Sequence, residues 1–464
     1  MSFSFFSLIN LFFVLGTSFW LVKIYVTERY LFVKPSIILL TYTHVFFQWP
    51  MVLLSSYCEN KLQNPYILSF LINGYMLLGL FLSPLILKEK TKIIWNRLTS
   101  KSNEPLVECA GVSVLMLTLS VISIAFIYFS YVPFNKTGLY AVYSDPSGAA
   151  LAREKSLKLL DSQGIKYLYS LARSSVIPIL FSCIWLRLLK KWKYCHFNTI
   201  VTYFEITILM LSFIFVAITG EKAFLAYLML LGGLIIFWKD ELKFQPIKII
   251  FILFLSFLLP IILILWRAGG VLEDFSLFFE PKLVFYYASS IIERSVFVPF
   301  KVGVWYVRYA QDIGPMGIAS FEKLSQLFGV SPINASNIIG LKYAPEYYGN
   351  AYDPRQALKS ISAGGGYLLS YYGYLGIVSF PISVLGLLAL DLSLFVYIRL
   401  KDQFLIPCLA SISIVSLAFI QGDYTVCLIT HGFIGVLLLS FLLSFWEDYF
   451  SNILNIMRYS YARK

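Results

Sequence analysis

Blocks of about twenty apolar residues alternate along this chain with short connectors rich in Lys and Arg. A helix of that length crosses ~30 Å of hydrocarbon. Lipid offers the backbone no hydrogen-bond partners, so each block must satisfy its own amides by forming a helix. The pattern predicts spans at 3–22, 36–56, 66–87, 107–132, 167–187, 198–218, 222–238, 247–266, 373–398, 404–420 and 425–446. An all-α polytopic membrane protein with about eleven transmembrane helices is expected, one integral membrane domain over 1–464.

Orientation comes from the connectors. With the N-terminus outside, the inner connectors and tail hold 20 Lys and Arg, among them Lys34, Lys88, Arg97, Arg187, Lys191 and Arg399. The short outer connectors hold Lys61 and Lys222. That bias follows the positive-inside rule and, with an odd number of spans, puts the C-terminus in the cytoplasm. It also puts two longer loops outside, at 133–166 and 267–366.

Composition agrees. The chain is 59% hydrophobic and 13% charged, with a mean hydropathy of +0.76, whereas a soluble protein carries about twice that charge. A net charge of +12 would suit nucleic acid, but its placement in the inner connectors makes it an orientation signal, and no nucleic-acid partner is expected. The first block has no basic residue before it and no small-residue cleavage site after it, so it reads as a retained span rather than a secretory signal. Six cysteines are scattered, four of them in apolar blocks, and the three histidines lie far apart. That argues against a disulfide framework or a zinc site; neither metal nor cofactor is expected.

The segment 267–366 is the long stretch that is neither span nor short connector. It carries Arg267, Arg294, Lys301, Arg308, Lys323, Lys342, Arg355 and Lys359 among many aromatic residues. Arg294, Lys301 and Arg308 are seven apart, so on a helix they share one face, and Pro299 is expected to kink or split that helix. Gly364-Gly365-Gly366 lets the backbone approach a ligand or bend into the membrane ahead of the next span. In the first outer loop, residues 149–160 read as a short surface helix bearing Arg153. Arg173, a few residues into the fifth span, and Glu205, within the sixth, are charges that at such depth usually face a cavity or a partner, with snorkelling to the interface the alternative for Arg173. Thr219-Gly220-Glu221-Lys222 makes a tight outer turn with both charges available to the same face.

Clustered Arg suits bidentate recognition of phosphate, and Lys adds point charge. Such groups near the membrane surface fit the head of a polyisoprenyl pyrophosphate, whose departure during sugar transfer they can stabilise. A carboxylate that accepts the proton of an acceptor hydroxyl would complete the site; Glu221, Glu293 and Asp353 are all open to that role. No P-loop, GxSxG or HExxH motif is present.

The layout resembles the Wzy-type O-antigen and repeat-unit polymerases of bacterial inner membranes. Ala172-Arg173-Ser174-Ser175-Val176-Ile177-Pro178 is similar to that family's arginine at the head of the fifth span. Ile292-Glu293-Arg294-Ser295-Val296-Phe297-Val298-Pro299 is similar to its arginine at the start of the large loop, and Gly365-Gly366-Tyr367 through Gly376 to its glycine-rich return. Arg153 to Gly164 and Arg355 to Gly366 repeat an arginine–glycine spacing seen in some members. Where some relatives place a histidine in the large loop, this chain has none.

The resemblance implies a GT-C-like scaffold in the inner membrane, with its active site facing the periplasm. It implies inverting, metal-independent polymerisation of undecaprenyl-pyrophosphate-linked oligosaccharides in contact with membrane lipid, together with a chain-length regulator. Arg173, Arg267, Arg294 and Arg355 would then bind the two pyrophosphates. Arg153, Lys222 and Arg308 would support them, and Glu293 or Glu221 would serve as the carboxylate. An O-antigen ligase-like transferase and a transporter of lipid-linked substrate are the rival expectations.

Overall fold

The computed structural model describes residues 4–100, 111–144, 149–160, 162–193, 200–218, 222–240, 292–321, 329–348 and 365–462, together with the single positions 242, 282, 289 and 325. Among these the chain is helical, with no strand. Among the described residues, nine helices are long and apolar enough to cross a membrane: Phe5–Thr27, Pro35–Leu53, Pro65–Leu82, Val112–Tyr131, Gly164–Leu189, Ile200–Ala217, Gly366–Tyr397, Asp402–Ile420 and Tyr424–Glu447. The protein is therefore a polytopic α-helical membrane protein. The expected span at 222–238 forms the helix Lys222–Lys239, whose apolar part, Leu225–Lys239, is shorter. The expected span at 247–266 lies outside the described residues.

Local chemistry sets several of the starts. Ser4 and Ser162 each accept the amide three residues on, at 3.1 Å, and Asn64 accepts that of Tyr66 just ahead of Pro65. Such side chains satisfy donors the first helical turn leaves unpaired, and proline fits there because its missing N–H had no partner to lose. The stretch expected as a short surface helix is helical over Ala149–Leu159.

Two compact units form. The first comprises Met1–Lys92, Ile292–Leu394 and Ser416–Cys427. Its first span leaves Phe12 77% and Phe19 74% exposed, as lipid-facing residues are, and turns a polar edge inward. There Asn10 Oδ1 accepts from Ser69 Oγ at 2.7 Å and Asn73 Nδ2 at 2.8 Å. Gln48 Nε2 donates to Asn73 Oδ1 at 2.9 Å, and His44 Nδ1 lies 2.7 Å from Gln48 Oε1. Trp49 Nε1 can only donate, and it reaches His44 Nε2 at 3.2 Å. The His44 proton therefore sits on Nδ1 and is given to Gln48. These buried side chains tie three helices together where apolar contact alone distinguishes poorly between protein and lipid.

A second tie lies in the same unit. Lys34 and Asp391 are both fully buried and 3.3 Å apart. Lys34 also donates to the carbonyls of Ser83 and Ile86.

The second unit comprises Ile93–Ile291, Phe395–Val415 and Leu428–Lys464. Glu205, a charge deep in a span, is met by Arg187 at 2.6 Å and Lys191 at 2.7 Å. Arg97 caps the turn before Asp402 by donating to that carboxylate and to the carbonyls of Tyr397, Ile398 and Leu400.

Candidate functional site

Two of the arginines singled out by sequence stand on the same local structure. Arg173 is the second residue of a π-helical turn, Ala172–Val176; Arg294 is the second residue of another, Glu293–Phe297. A third such turn, His44–Gln48, carries no arginine. In each, a proline stands six residues after the first: Pro178, Pro299 and Pro50. A proline has no N–H, and its ring collides with the carbonyl four residues earlier. Widening the turn by one residue moves that carbonyl aside and lets the amide just before the proline bond five residues back. Ile177 reaches Ala172, Val298 reaches Glu293 and Trp49 reaches His44 in this way. Of the two outcomes expected at Pro299, a kink or a split, the helix is not split: it runs on through a widened turn. Single π-turns inside α-helices recur at functional sites.

In the second unit the turn bearing Arg173 is pressed against two glycines. A Cβ on Gly432, whose φ is +89°, would lie 2.5 Å from Ser175 Oγ and 2.6 Å from the Ser174 carbonyl. One on Gly435 would lie 2.3 Å from Ser175 Oγ. Ser174 Oγ donates to the Thr430 carbonyl and Ser175 Oγ to that of Gly432. The half-buried Arg173 places its guanidinium carbon 5.8 Å from the Tyr169 ring centre, close enough for a cation–π contribution.

In the first unit Arg294 is exposed. Its neighbour Glu293, 49% exposed, is 3.1 Å from Lys301 Nζ. The helix Val298–Asp312 then carries Gly303 against Gly365, where a Cβ on Gly365 would fall 2.8 Å from the Gly303 Cα. Gly366, at φ +67°, meets the Ile420 carbonyl 2.6 Å from where its Cβ would stand. Gly365 and Gly366 permit close backbone approach, here to protein rather than to a ligand; Gly364 lies outside the described residues.

Arg308 ends that helix in an ionic knot. Its Nη1 lies 3.0 and 2.9 Å from the two Glu346 oxygens, its Nε 3.4 Å from Asp312, and its guanidinium stacks 4.9 Å over Tyr343. Lys61 Nζ reaches the same Glu346 at 2.5 Å. Burial raises the Glu346 carboxyl, but the bonds from Lys61 and Arg308 outweigh it and hold the group below its ordinary value. In this state Glu346 occupies the position an anion would take on Arg308.

Lys222 begins the helix Lys222–Lys239 and Arg153 lies on Ala149–Leu159; their side chains are not described. Glu221, Arg267, Asp353 and Arg355 lie outside the described residues. Sequence reasoning missed Asp423, which lies between the helix Leu417–Ile420 and the helix Tyr424–Ile429 beside a cluster of tyrosines. A lone Asp before a span gave no signal until the tyrosines of two distant segments gathered beside it. No family model, curated protein or solved structure matches the chain.

Proposed function

We propose that the chain is a polymerase of lipid-linked oligosaccharide repeats, a glycosyltransferase of the bacterial inner membrane with about eleven spans and its N-terminus outside. It moves a growing saccharide from undecaprenyl pyrophosphate to a new lipid-linked repeat at the periplasmic face, building O-antigen or a related surface polysaccharide. The reading rests on the resemblance of its layout and motifs to the Wzy-type polymerases. The structural observation that supports it most is the shared device at Arg173 and Arg294: Arg-Ser, a π-turn, then Pro. A guanidinium fixed on a widened turn is an apt partner for a pyrophosphate oxygen, because the forked donors bind phosphate bidentately and need no proton exchange to do so. Negative charge grows on that leaving group as the glycosidic bond to it breaks, and preorganised cations lower the barrier by meeting it.

In this reading Arg294 and Arg173 do the electrostatic work. Arg267, Arg355, Arg153 and Lys222 assist, and Arg308 becomes available when pyrophosphate displaces Glu346. The test is the ladder of lipid A-linked or capsular chains in a deletion strain complemented with Arg294→Ala. Single repeats without long chains, at wild-type protein level, are expected. Normal chain lengths would refute the assignment, and polymer accumulating on its lipid carrier without attachment would indicate the ligase instead.

A further inference from the structure

The first unit holds a carboxylate whose surroundings suit it to proton transfer better than those of Glu293 or Glu346. Asp423 lies between two spans, half-buried. Its Oδ1 accepts the Thr425 amide at 2.8 Å and the Thr425 hydroxyl at 2.6 Å, and the Val426 amide also bonds the carboxylate. No Lys or Arg among the described residues forms an ion pair with it. Tyrosines lie near it instead: Tyr306, Tyr371 and Tyr374 are within reach of its charge, and Tyr424 comes directly after it. The rings form one continuous set. Centroid separations are 5.8 Å for Tyr306–Tyr374, 6.0 Å for Tyr371–Tyr374, 6.3 Å for Tyr367–Tyr371 and 5.7 Å for Tyr367–Tyr424.

Two buried phenols, one in this set and one packed against it, are unpaired among the described residues. Tyr367 is 2% exposed and Tyr75 fully buried, their rings 5.9 Å apart. Neither hydroxyl has a hydrogen-bond partner among the described residues. A buried hydroxyl left unpaired costs about 1–3 kcal/mol, a cost that a polar ligand removes. A saccharide supplies both complements, hydroxyls for the phenols and C–H faces for the rings.

We propose that Asp423 and the tyrosines around it form the acceptor saccharide subsite, with Asp423 as the general base. This rests on the transferase reading above. The acceptor hydroxyl oxygen bonds to the anomeric carbon of the donor as its proton passes to the Asp423 carboxylate. The bond from that carbon to the pyrophosphate oxygen breaks, and its electron pair leaves with the pyrophosphate. Asp423 then releases the proton to water.

Burial pushes the Asp423 carboxyl above its usual range, while the bonds from Thr425 and Val426 pull partly against it. A base so placed keeps more affinity for a proton than one clamped by cations, as Glu346 is.

The bland alternative is that Asp423 only caps the helix behind it. Asparagine caps as well as aspartate but cannot take the proton, so Asp423→Asn separates the two roles. The experiment uses purified full-length protein in lipid vesicles with a defined undecaprenyl-pyrophosphate-linked repeat, reading polymer formed per minute. Wild type is expected to polymerise and Asp423→Asn to lose about 10²–10⁴-fold with an unchanged unfolding midpoint. Tyr367→Phe, which removes one unpartnered hydroxyl, is expected to raise the KM for acceptor repeat without loss of stability. Asp423→Asn polymerising within threefold of wild type overturns the base assignment and leaves the transferase reading standing. An unchanged KM in Tyr367→Phe overturns the acceptor subsite. Wild type forming no polymer overturns the transferase reading and, with it, this proposal.

Discussion

Removing one partner of the Lys34–Asp391 pair should destabilise the protein far more than removing both. Each side chain is fully buried, so a lone survivor is an uncompensated charge in a low-dielectric setting, worth about 3–5 kcal/mol on precedent for broken buried pairs. The two single variants should not cost the same. Without Lys34, Asp391 keeps the Ser36 amide at 3.1 Å, the Ser36 hydroxyl at 2.8 Å and the Ser83 hydroxyl at 3.4 Å, and it can also take up a proton. Without Asp391, the ammonium keeps the carbonyls of Ser83 and Ile86 but no countercharge. Asp391→Leu should therefore cost more than Lys34→Met, and the double variant, which leaves no uncompensated charge, should cost less than either single variant. SDS titration in mixed micelles, monitored through the intrinsic fluorescence of the nine tryptophans, supplies all four free energies. Additivity within about 0.5 kcal/mol, the behaviour of independent sites, would refute the reasoning.

Other consequences are as direct. Gly366→Ala forces a left-handed residue to carry a Cβ 2.6 Å from the Ile420 carbonyl; a loss of at least ~1 kcal/mol of stability is expected from strained backbone alone, checked by the same titration. The Glu346 carboxyl is held below its ordinary value, so the stabilisation it provides is present above that value and is lost as pH falls through the lowered one. Limited proteolysis within 335–348 should accordingly rise on acidification in wild type, and Glu346→Gln should be equally susceptible at neutral and acidic pH.

Spans were legible because an apolar block of twenty residues has few other fates, and the nine spanning helices begin and end within a few residues of expectation, save for the earlier start at Gly366. Glu205 was recognisable as a charge needing a partner, and its partners, Arg187 and Lys191, lie one connector upstream on the neighbouring span. Lys34 was misleading. Its position after the first span reads as an orientation signal, and nothing local announces that Asp391, 357 residues later, draws it into the protein. Arg308 is the same case in reverse: residue type advertised an anion site, while the anion it holds here is Glu346 of the same loop. Long-range pairing, not local propensity, decided both.

The proline spacing alone explains why the π-turns widen, since Pro50 does it beside His44 without any arginine. The arginine is thus no part of what widens the turn, and it recurs on the same device at Arg173 and at Arg294. One extra residue rotates everything before the turn by about 100° relative to the helix beyond it, because an α-helix advances 3.6 residues per turn. Relaxing the turn would swing the arginine off its present bearing without removing it. Pro299→Ala restores the missing N–H and removes the ring, so the segment should revert to α-helix. The expected result is a protein at wild-type level, with Arg294 intact, that builds mostly single repeats in the ladder assay; Pro178→Ala should do the same through Arg173. Long chains from Pro299→Ala would mean that the arginine's bearing does not matter, and that the π-turn serves the proline alone.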